Sequence, residues 1–396
     1  MEVDKLNQRK YAIVGLGQTK MGRHKGISGR ALEAEAVRLA IEDAGLTRDD
    51  INGCINCKME AGSQVLQSWT DGYPRILGIP TNFFFHIGRE GALGGLAISA
   101  ACGFLELGLA DYIAIGYGTD AWSTSHVPAR RGTGQPRPGA WGKAFGALHA
   151  SHDHSLFASR HMHEYGTTSR QLGAAAVAAR SWACLNPQAQ MYGRPITLED
   201  HQNSPMLVEP YHLLDICQQT DGGTGLIITT ADRARDCRKP PVYVAGIGFG
   251  EQMRKLWWDK GNYTQLDVAP AKERAFAQAG IELKDLGCVQ FYDCFTMEVL
   301  LQLEDYGFCK KGEGGPFVEA GNIAPGGSIP VNTGGGLLSS HHHADLTGVA
   351  EAVIQLRGEA GARQIKDLHF SLSTGHGGEL LGPGMCSTHS CLVLRN

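Results

Sequence analysis

The side chains best suited to proton transfer lie in two short segments of the second half of the chain. Tyr292 ends an apolar, strand-like run and is followed by Asp293, and three consecutive histidines occupy 341–343. A phenol can donate a hydrogen bond, or act as an acid or base if its pKa is lowered, and histidine changes its charge near neutral pH. These residue types can support general acid–base chemistry. Tyr292 could equally be a core residue with a satisfied hydroxyl, and the histidines could form a polar helix start with only one of them in a pocket.

A second group of candidates lies near the middle of the chain. It consists of five histidines: His149, His152, His154, His161 and His163. Such a cluster can hold a metal ion, and Cys54 with Cys57 forms a lone CxxC pair. No second CxxC pair follows at the spacing of a zinc ribbon. We predict no metal site, and we assign His149 and His152 to a substrate pocket.

The elements that must position these residues occur twice along the chain. Three segments match: 11–17 with 242–248, 34–46 with 271–281, and 95–101 with 348–354. The first pair are apolar strands that end in glycines, and the second pair are amphipathic helices stopped by a glycine. The sequence therefore predicts two similar α/β halves with mostly parallel sheets covered on both faces.

The region between the halves has a different composition. Residues from about 120 to 235 carry glycine, histidine and proline in irregular stretches. Long ordered loops of this kind are usually functional. We predict an N-terminal half at 1–120, an inserted loop region with the end of that half at 121–235, and a C-terminal half at 236–396.

Composition is that of a soluble enzyme. The chain has 396 residues, 42% of them hydrophobic, and a net charge of −4, so it can bury a large core and has no charge excess that favours nucleic acid. We find no apolar run of 18 residues and no signal-peptide pattern, so we predict no membrane span and a cytoplasmic location. Its 11 cysteines are expected to be mostly reduced, buried thiols.

Several motifs, in their order and spacing, resemble the thiolase superfamily over nearly the whole chain, and in particular the sterol-carrier-protein type of thiolase. They are the strand that ends in glycines at 110–118, Gln-Thr-Asp-Gly-Gly at 219–223, Tyr-Asp-Cys-Phe at 292–295, the glycine-rich turn at 330–336, and 341–348. The segment 292–295 resembles the family's His-Asp-Cys-Phe motif, and 341–348 resembles its Gly-His-Pro motif. The resemblance implies a thiolase fold, with two βαβαβαββ halves in five αβαβα layers and an inserted loop domain.

The same resemblance places a glycine where thiolases have their nucleophile. Gly91 matches the cysteine that takes the acyl group, and glycine cannot form an acyl-enzyme. The nearest cysteine, Cys102, comes 11 residues later, and we expect it to be a core thiol. His342 matches the catalytic histidine, and Tyr292 stands where thiolases have the asparagine or histidine of the oxyanion hole.

One branch of the superfamily, the lipid-transfer-protein-like aldolases, lacks the nucleophile and cleaves a β-hydroxyacyl-CoA by a retro-aldol reaction. The resemblance implies that Tyr292 or His342 is the base or its proton partner, and that Asp293 orients them or caps a helix. The resemblance also implies that Gly91 lies in the substrate pocket and that backbone groups near Gly377 and Gly378 polarise the thioester carbonyl. The chain departs from the branch at His342, where we expect tyrosine in the steroid aldolases.

The branch also implies partners. We expect a homodimer and a small OB-fold or zinc-ribbon accessory protein, with coenzyme A as part of the substrate and no other bound cofactor. Two alternatives remain open at this stage. A thiolase or acyltransferase would need a cysteine within hydrogen-bond reach of His342, and a non-catalytic binding subunit would have its pocket filled by side chains.

Overall fold

The computed structural model describes residues 10–57, 72–124, 150–251, 263–377 and 388–396. The strands in these ranges are β1 Tyr11–Gln18, β2 Gly53–Cys57, β3 Phe83–Ile87, β4 Tyr112–Asp120, β5 Met206–Val208, β6 Tyr211–His212, β7 Asp221–Thr230, β8 Val242–Glu251, β9 Cys288–Gln290, β10 Phe370–Gly377 and β11 Thr388–Arg395. The α-helices are α1 Gly29–Ala44, α2 Tyr73–Leu77, α3 Leu93–Glu106, α4 Ala121–Thr124, α5 Ala150–Tyr165, α6 Ser169–Ala183, α7 Leu198–Asn203, α8 Ala231–Ala234, α9 Val268–Ala279, α10 Thr296–Tyr306, α11 Gly314–Glu319 and α12 Leu346–Leu356.

Nine of the described strands form one sheet, in the order β3-β2-β4-β7-β1-β8-β11-β10-β9. The order repeats about its centre, because β1, β7, β4 and β2 in the first half correspond to β8, β11, β10 and β9 in the second. A parallel bridge between Val289 and Val331 lies beside β9, at the position that corresponds to β3 in the first half. The halves join where β1 pairs with β8, at Ala12–Tyr243 and Ile13–Val242. The predicted duplication is therefore confirmed by the topology.

Helices form three layers around the two halves of this sheet. Helix α1 packs on β1, β4 and β7, and α9 packs on β8 and β11, so each covers an outer face. Helices α3 and α12 contact each other and strands of both halves, so they lie between them. The result is the predicted five-layer αβαβα arrangement.

The sheet is mixed, so the expectation of mostly parallel strands was wrong. Among the described strands of the sheet, only β2/β3, β2/β4 and β9/β10 pair in parallel, whereas β1/β7, β1/β8, β4/β7, β8/β11 and β10/β11 are antiparallel. Chain length explains one of these pairs. Ten residues separate β10 from β11, which is fewer than the dozen or so that a parallel crossover needs.

The helix ends follow from local sequence. Helix α1 begins at Ser28, whose hydroxyl accepts from the Ala31 N–H, and it ends at Gly45 with φ +77°. Helix α9 ends at Gly280 with φ +66°. Both glycines adopt the left-handed conformation that stops a helix, as the sequence predicted.

The segment between the halves is more regular than its composition suggests. It contains α5 and α6, and its last strand, β7, pairs with β1 and β4 inside the first half of the sheet. The boundaries at 120 and 235 stay a prediction. Within the ranges that the structure describes, no helix combines the length and the apolar character needed to cross a bilayer.

Candidate active site

Gly91 lies directly against the ring of Tyr292. It belongs to a short 3-10 turn, Glu90–Ala92, that leads into α3. A Cβ atom built on Gly91 would lie 2.6 Å from the Tyr292 hydroxyl, and closer still to Cζ of that ring and to the carbonyl oxygen of His376. The tyrosine therefore occupies the space that a side chain at position 91 would need, and no larger residue fits there while Tyr292 keeps this position.

Tyr292 and His342 form a pair at this point. The phenol oxygen of Tyr292 lies 3.4 Å from Nε2 of His342. Tyr292 itself is only 5% exposed. Its N–H donates to the Thr374 hydroxyl at 3.0 Å, and its carbonyl accepts from the Gln302 amide at 2.9 Å. The backbone of Tyr292 is thus fixed by β10 and α10, while its hydroxyl faces the histidine.

Of the three consecutive histidines, His342 is partly exposed, whereas His341 and His343 are buried. Burial lowers the pKa of His341 to about 3 and lowers the pKa of His343 well below its usual value. Both are therefore neutral near pH 7. His341 is hydrogen-bonded to Ser340, and His343 to Thr224. That only one of the three lies in a pocket stays a prediction, and the partial exposure of His342 favours that residue.

Asp293 contacts the backbone of the turn at 336–340. Its carboxylate accepts from the Leu337 N–H at 2.7 Å, and Gly336 adopts φ +59° beside it. It therefore holds the turn at 336–340 that leads into the histidine run. Burial raises the pKa of Asp293 to about 7. These contacts support a positioning role, and a direct catalytic role for Asp293 stays a prediction.

The end of β10 completes the site. A Cβ on Gly377 would lie 3.1 Å from the Gly91 nitrogen and 2.9 Å from the Glu90 side chain. The structure thus brings Gly91, Tyr292, His342 and Gly377 together. Two other candidates, His149 and Gly378, lie outside the described residues.

Helix α5 presents His154 to the site. The His154 ring lies 4.6 Å from Phe295 and 6.1 Å from His376. His152 comes two residues earlier, about 200° around the helix, so its place in the pocket stays a prediction. Sequence reasoning selected Gly377 but not its neighbour His376, whose ring packs edge-to-face with Tyr292 at a centroid distance of 4.6 Å. Cys294 belongs to the Tyr-Asp-Cys-Phe motif at 292–295, and its sulfur lies 3.8 Å from His376 Nε2.

The cysteines that the sequence assigned to the core are buried. Cys102 is 8% exposed, and burial raises its pKa to about 12, so it is a thiol at neutral pH rather than a nucleophilic thiolate. Cys54 and Cys57 pack into two different hydrophobic clusters. Their side chains point to opposite faces of β2, so they do not form a common zinc site.

Comparisons with known proteins find relatives that match most of this chain. A model of the family described as Thiolase C-terminal domain-like matches residues 254–396. The steroid side-chain-cleaving aldolase of Thermomonospora curvata is 35% identical over 357 residues, which are 88% of this chain and 90% of that protein. The 17-hydroxy-3-oxo-4-pregnene-20-carboxyl-CoA lyase of Mycobacterium tuberculosis is also 35% identical, over 361 residues, or 88% of this chain and 91% of the relative.

A solved structure gives the same result for the fold. The Ltp2-ChsH2(DUF35) aldolase superposes with a TM-score of 0.85 at 33% identity, and the match covers 98% of this chain and 97% of that chain. The sequence prediction of the family is confirmed. The chain belongs to the thiolase superfamily, in the branch that contains the steroid side-chain-cleaving aldolases.

Proposed function

We propose that the protein is an acyl-CoA aldolase that cleaves a β-hydroxyacyl-CoA by a retro-aldol reaction without a covalent intermediate. The observation that carries the proposal is the position of Tyr292, whose hydroxyl lies in the space of the absent nucleophile and 3.4 Å from His342. The relatives named as a side-chain-cleaving aldolase and a carboxyl-CoA lyase support the same reaction class.

The reaction needs one base and one site for negative charge. The base removes the proton of the β-hydroxyl, and the bond between Cβ and Cα breaks as the carbonyl of a ketone or aldehyde forms. The electron pair passes to Cα and the thioester oxygen, which gives an enolate that is then protonated at Cα. Hydrogen-bond donors placed at the thioester oxygen stabilise this enolate, and we assign that role to backbone groups around Gly91 and Gly377.

The Tyr292–His342 pair can carry the proton. A neutral imidazole accepts a proton through one nitrogen, and a phenol can pass a proton between substrate and histidine. The buried, neutral His341 and His343 add no positive charge beside His342. Because His342 is the partly exposed member of the pair, the substrate approaches from its side.

A polar cleft beside the histidine run is suited to the coenzyme A part of the substrate. It is lined by the exposed cations Lys20, Arg23 and Arg194, together with Gln18 and Gln219. The Gln18 amide lies 3.3 Å from His341 Nε2, so the cleft adjoins the histidine run at 341–343. Arginine and lysine side chains at such a position are suited to phosphate groups.

The reaction is tested with a β-hydroxyacyl-CoA substrate and an assay for released ketone or aldehyde. Tyr292→Phe and His342→Gln should each lower kcat by roughly 10²–10⁴-fold, the usual contribution of a general acid or base. Tyr117→Phe is the matched control, because Tyr117 is a buried tyrosine whose ring packs beside His343, with the ring centroids 5.3 Å apart. Full activity in both site variants would show that the site is wrongly assigned.

A second experiment separates aldolase from thiolase chemistry. Mass spectrometry after incubation with acetyl-CoA or propionyl-CoA should detect no acyl adduct on the protein. An adduct on any cysteine would support the thiolase alternative instead. Absence of both an adduct and C–C cleavage, with intact ligand binding, would support the non-catalytic alternative.

We also infer a homodimer that forms through β3. This strand is at the edge of the described sheet, and Phe85 on it is 48% exposed. An edge strand leaves backbone groups unpaired, and pairing with a second copy satisfies them. Sedimentation should give a dimer for the protein and a monomer for Phe85→Lys. A monomeric parent protein would exclude this arrangement.

An accessory subunit is the last part of the proposal. The similar structure is named as Ltp2 with ChsH2(DUF35), and the resemblance described above implies a small OB-fold or zinc-ribbon protein. Copurification of such a protein from the native source, and a rise in kcat when it is added, are the expected results. Full activity of the chain alone would exclude an obligatory partner.

A further inference from the structure

Four metal-binding side chains meet in the core behind Tyr292. They are His154 on α5, Cys294 in the loop after β9, Glu298 on α10 and His376 on β10. Their ligand atoms all lie within 4.8 Å of one another. None of the four is more than 6% exposed. Four separate elements, from both the inserted region and the second half, thus converge on one small buried volume.

The donor set and its dimensions fit zinc. Imidazole, thiolate and carboxylate are the three ligand types that Zn²⁺ takes in proteins. With a Zn–S bond of about 2.3 Å and a Zn–N bond of about 2.0 Å, a tetrahedral site places the sulfur and nitrogen roughly 3.5 Å apart. The Cys294 sulfur and His376 Nε2 are 3.8 Å apart. A shift of a few tenths of an ångström would therefore bring these two ligands to bonding distance.

The carboxylate of Glu298 provides an independent indication. Its Oε1 atom contacts Nδ1 of His154. Its Oε2 atom is buried and has no hydrogen-bond partner among the described residues. A buried carboxylate oxygen without a partner is costly, and a cation in the cluster would satisfy it.

We propose that His154, Cys294, Glu298 and His376 bind one Zn²⁺ ion as a closed, four-ligand structural site. On binding, the Cys294 thiol loses its proton to solvent and its sulfur bonds to the metal, and the His154–Glu298 contact opens to place the ion between them. All four ligands come from the protein, so no position is left for substrate, which is the pattern of structural rather than catalytic zinc.

The ion has a defined effect on the site described above. It holds the His376 ring against Tyr292 and fixes Cys294, which follows Tyr292 by two residues. It also ties α5 of the inserted region to the second half of the chain. The proposal does not depend on which reaction Tyr292 and His342 catalyse. The proposed zinc site replaces the sequence prediction that the protein has no metal site. That prediction weighed the histidines at 149–163 alone, whereas three of the four proposed ligands come from other elements.

The test uses the purified full-length protein, stripped with a chelator and reloaded with one equivalent of Zn²⁺ or Co²⁺. Elemental analysis after gel filtration should find about one zinc per chain, and zinc should raise the melting temperature. The cobalt form should show a sulfur-to-cobalt charge-transfer band in the near ultraviolet, with strong visible bands typical of tetrahedral coordination. A stripped protein that binds no metal when it is reloaded would overturn the proposal.

Single substitutions assign the ligands. Cys294→Ser should abolish the charge-transfer band and lower zinc affinity by at least about 100-fold. Cys288→Ser is the matched control, since Cys288 is a buried cysteine six residues earlier that contacts Ser371 instead, and it should keep the band. His161→Gln controls for His154→Gln, because His161 is buried on the same helix beside Glu304. A band that survives Cys294→Ser, or equal zinc loss in the controls, would place the metal elsewhere and refute the site.

Discussion

Substitution of Gly91 tests the central steric feature of the site. In Gly91→Ala, the new methyl group would lie 2.6 Å from the Tyr292 hydroxyl, and nearer to the ring carbon Cζ and to the His376 carbonyl. Ordinary contacts between heavy atoms lie at about 3.5–4.0 Å, so the overlap with the hydroxyl alone is roughly 1 Å. One of the obstructing groups is backbone, which cannot turn aside as a flexible side chain can.

The expected cost follows from this overlap. Overpacking of a well-packed core usually costs about 1–3 kcal/mol, which lowers the melting temperature by several degrees in a chain of this size. We expect Gly91→Ala to lose that stability and most of its C–C cleavage activity, because Tyr292 must move away from His342. Thermal unfolding and the ketone-release assay measure the two effects.

The chain supplies a matched control in the same helical segment. A Cβ on Gly103, in α3, meets no atom within 4 Å, so Gly103→Ala should be neutral or gain up to about 1 kcal/mol of helix stability. The double variant Gly91→Ala/Tyr292→Ala should be more stable than the sum of the two single losses predicts, with a coupling energy of about 1–3 kcal/mol. Gly91→Ala with the stability and activity of the parent protein would refute the reasoning.

Three further substitutions address other parts of the molecule. Burial raises the pKa of Asp345 to about 7 from 3.8, so the folded state binds its proton more tightly. As pH rises from 4 to 7, the parent protein should therefore lose stability relative to Asp345→Asn, by on the order of 4 kcal/mol in the free energy of unfolding measured with denaturant. An equal pH response in both proteins would contradict the raised pKa of Asp345. Cys102→Ser should keep cleavage activity within about twofold, because that thiol is buried and protonated, and inactivation without loss of stability would reopen the thiolase alternative. Arg194→Glu should raise KM for the CoA substrate several-fold with little change in kcat. Arg235→Glu, which lies outside the cleft, should leave KM unchanged. Equal effects of the two substitutions on KM would show that the cleft does not bind coenzyme A.

Much of the architecture could be predicted because it depends on local patterns. Strands that end in glycines and helices stopped by Gly45 and Gly280 are set by backbone conformation, and their recurrence revealed the duplication. Strand direction could not be predicted in the same way. Whether β7 and β11 run with or against their neighbours depends on the path of the chain between strands, which local periodicity does not encode.

The site shows a similar division. Motif order brought Gly91, Tyr292 and His342 into one hypothesis, and the structure places Tyr292 against Gly91 and 3.4 Å from His342. The direction of a side chain was harder to predict. His154 meets the site because of the rotation of α5 about its axis, and Asp293 turns towards the backbone of Leu337 because the turn at 336–340 needs an acceptor.

The contact between Asp345 and the start of α3 affects the order in which this protein can fold during synthesis. Helix α3 has no capping side chain of its own, and the N–H groups of Gly94 and Gly95 donate instead to the Asp345 carboxylate at 2.7 and 2.8 Å. That residue lies about 250 positions further along the chain. During synthesis, the helix that follows Gly91 therefore remains uncapped until most of the polypeptide has left the ribosome. The candidate site around Gly91 is therefore completed late, when the second repeat packs against the first, and a truncated product would lack it even with every residue of the first half present.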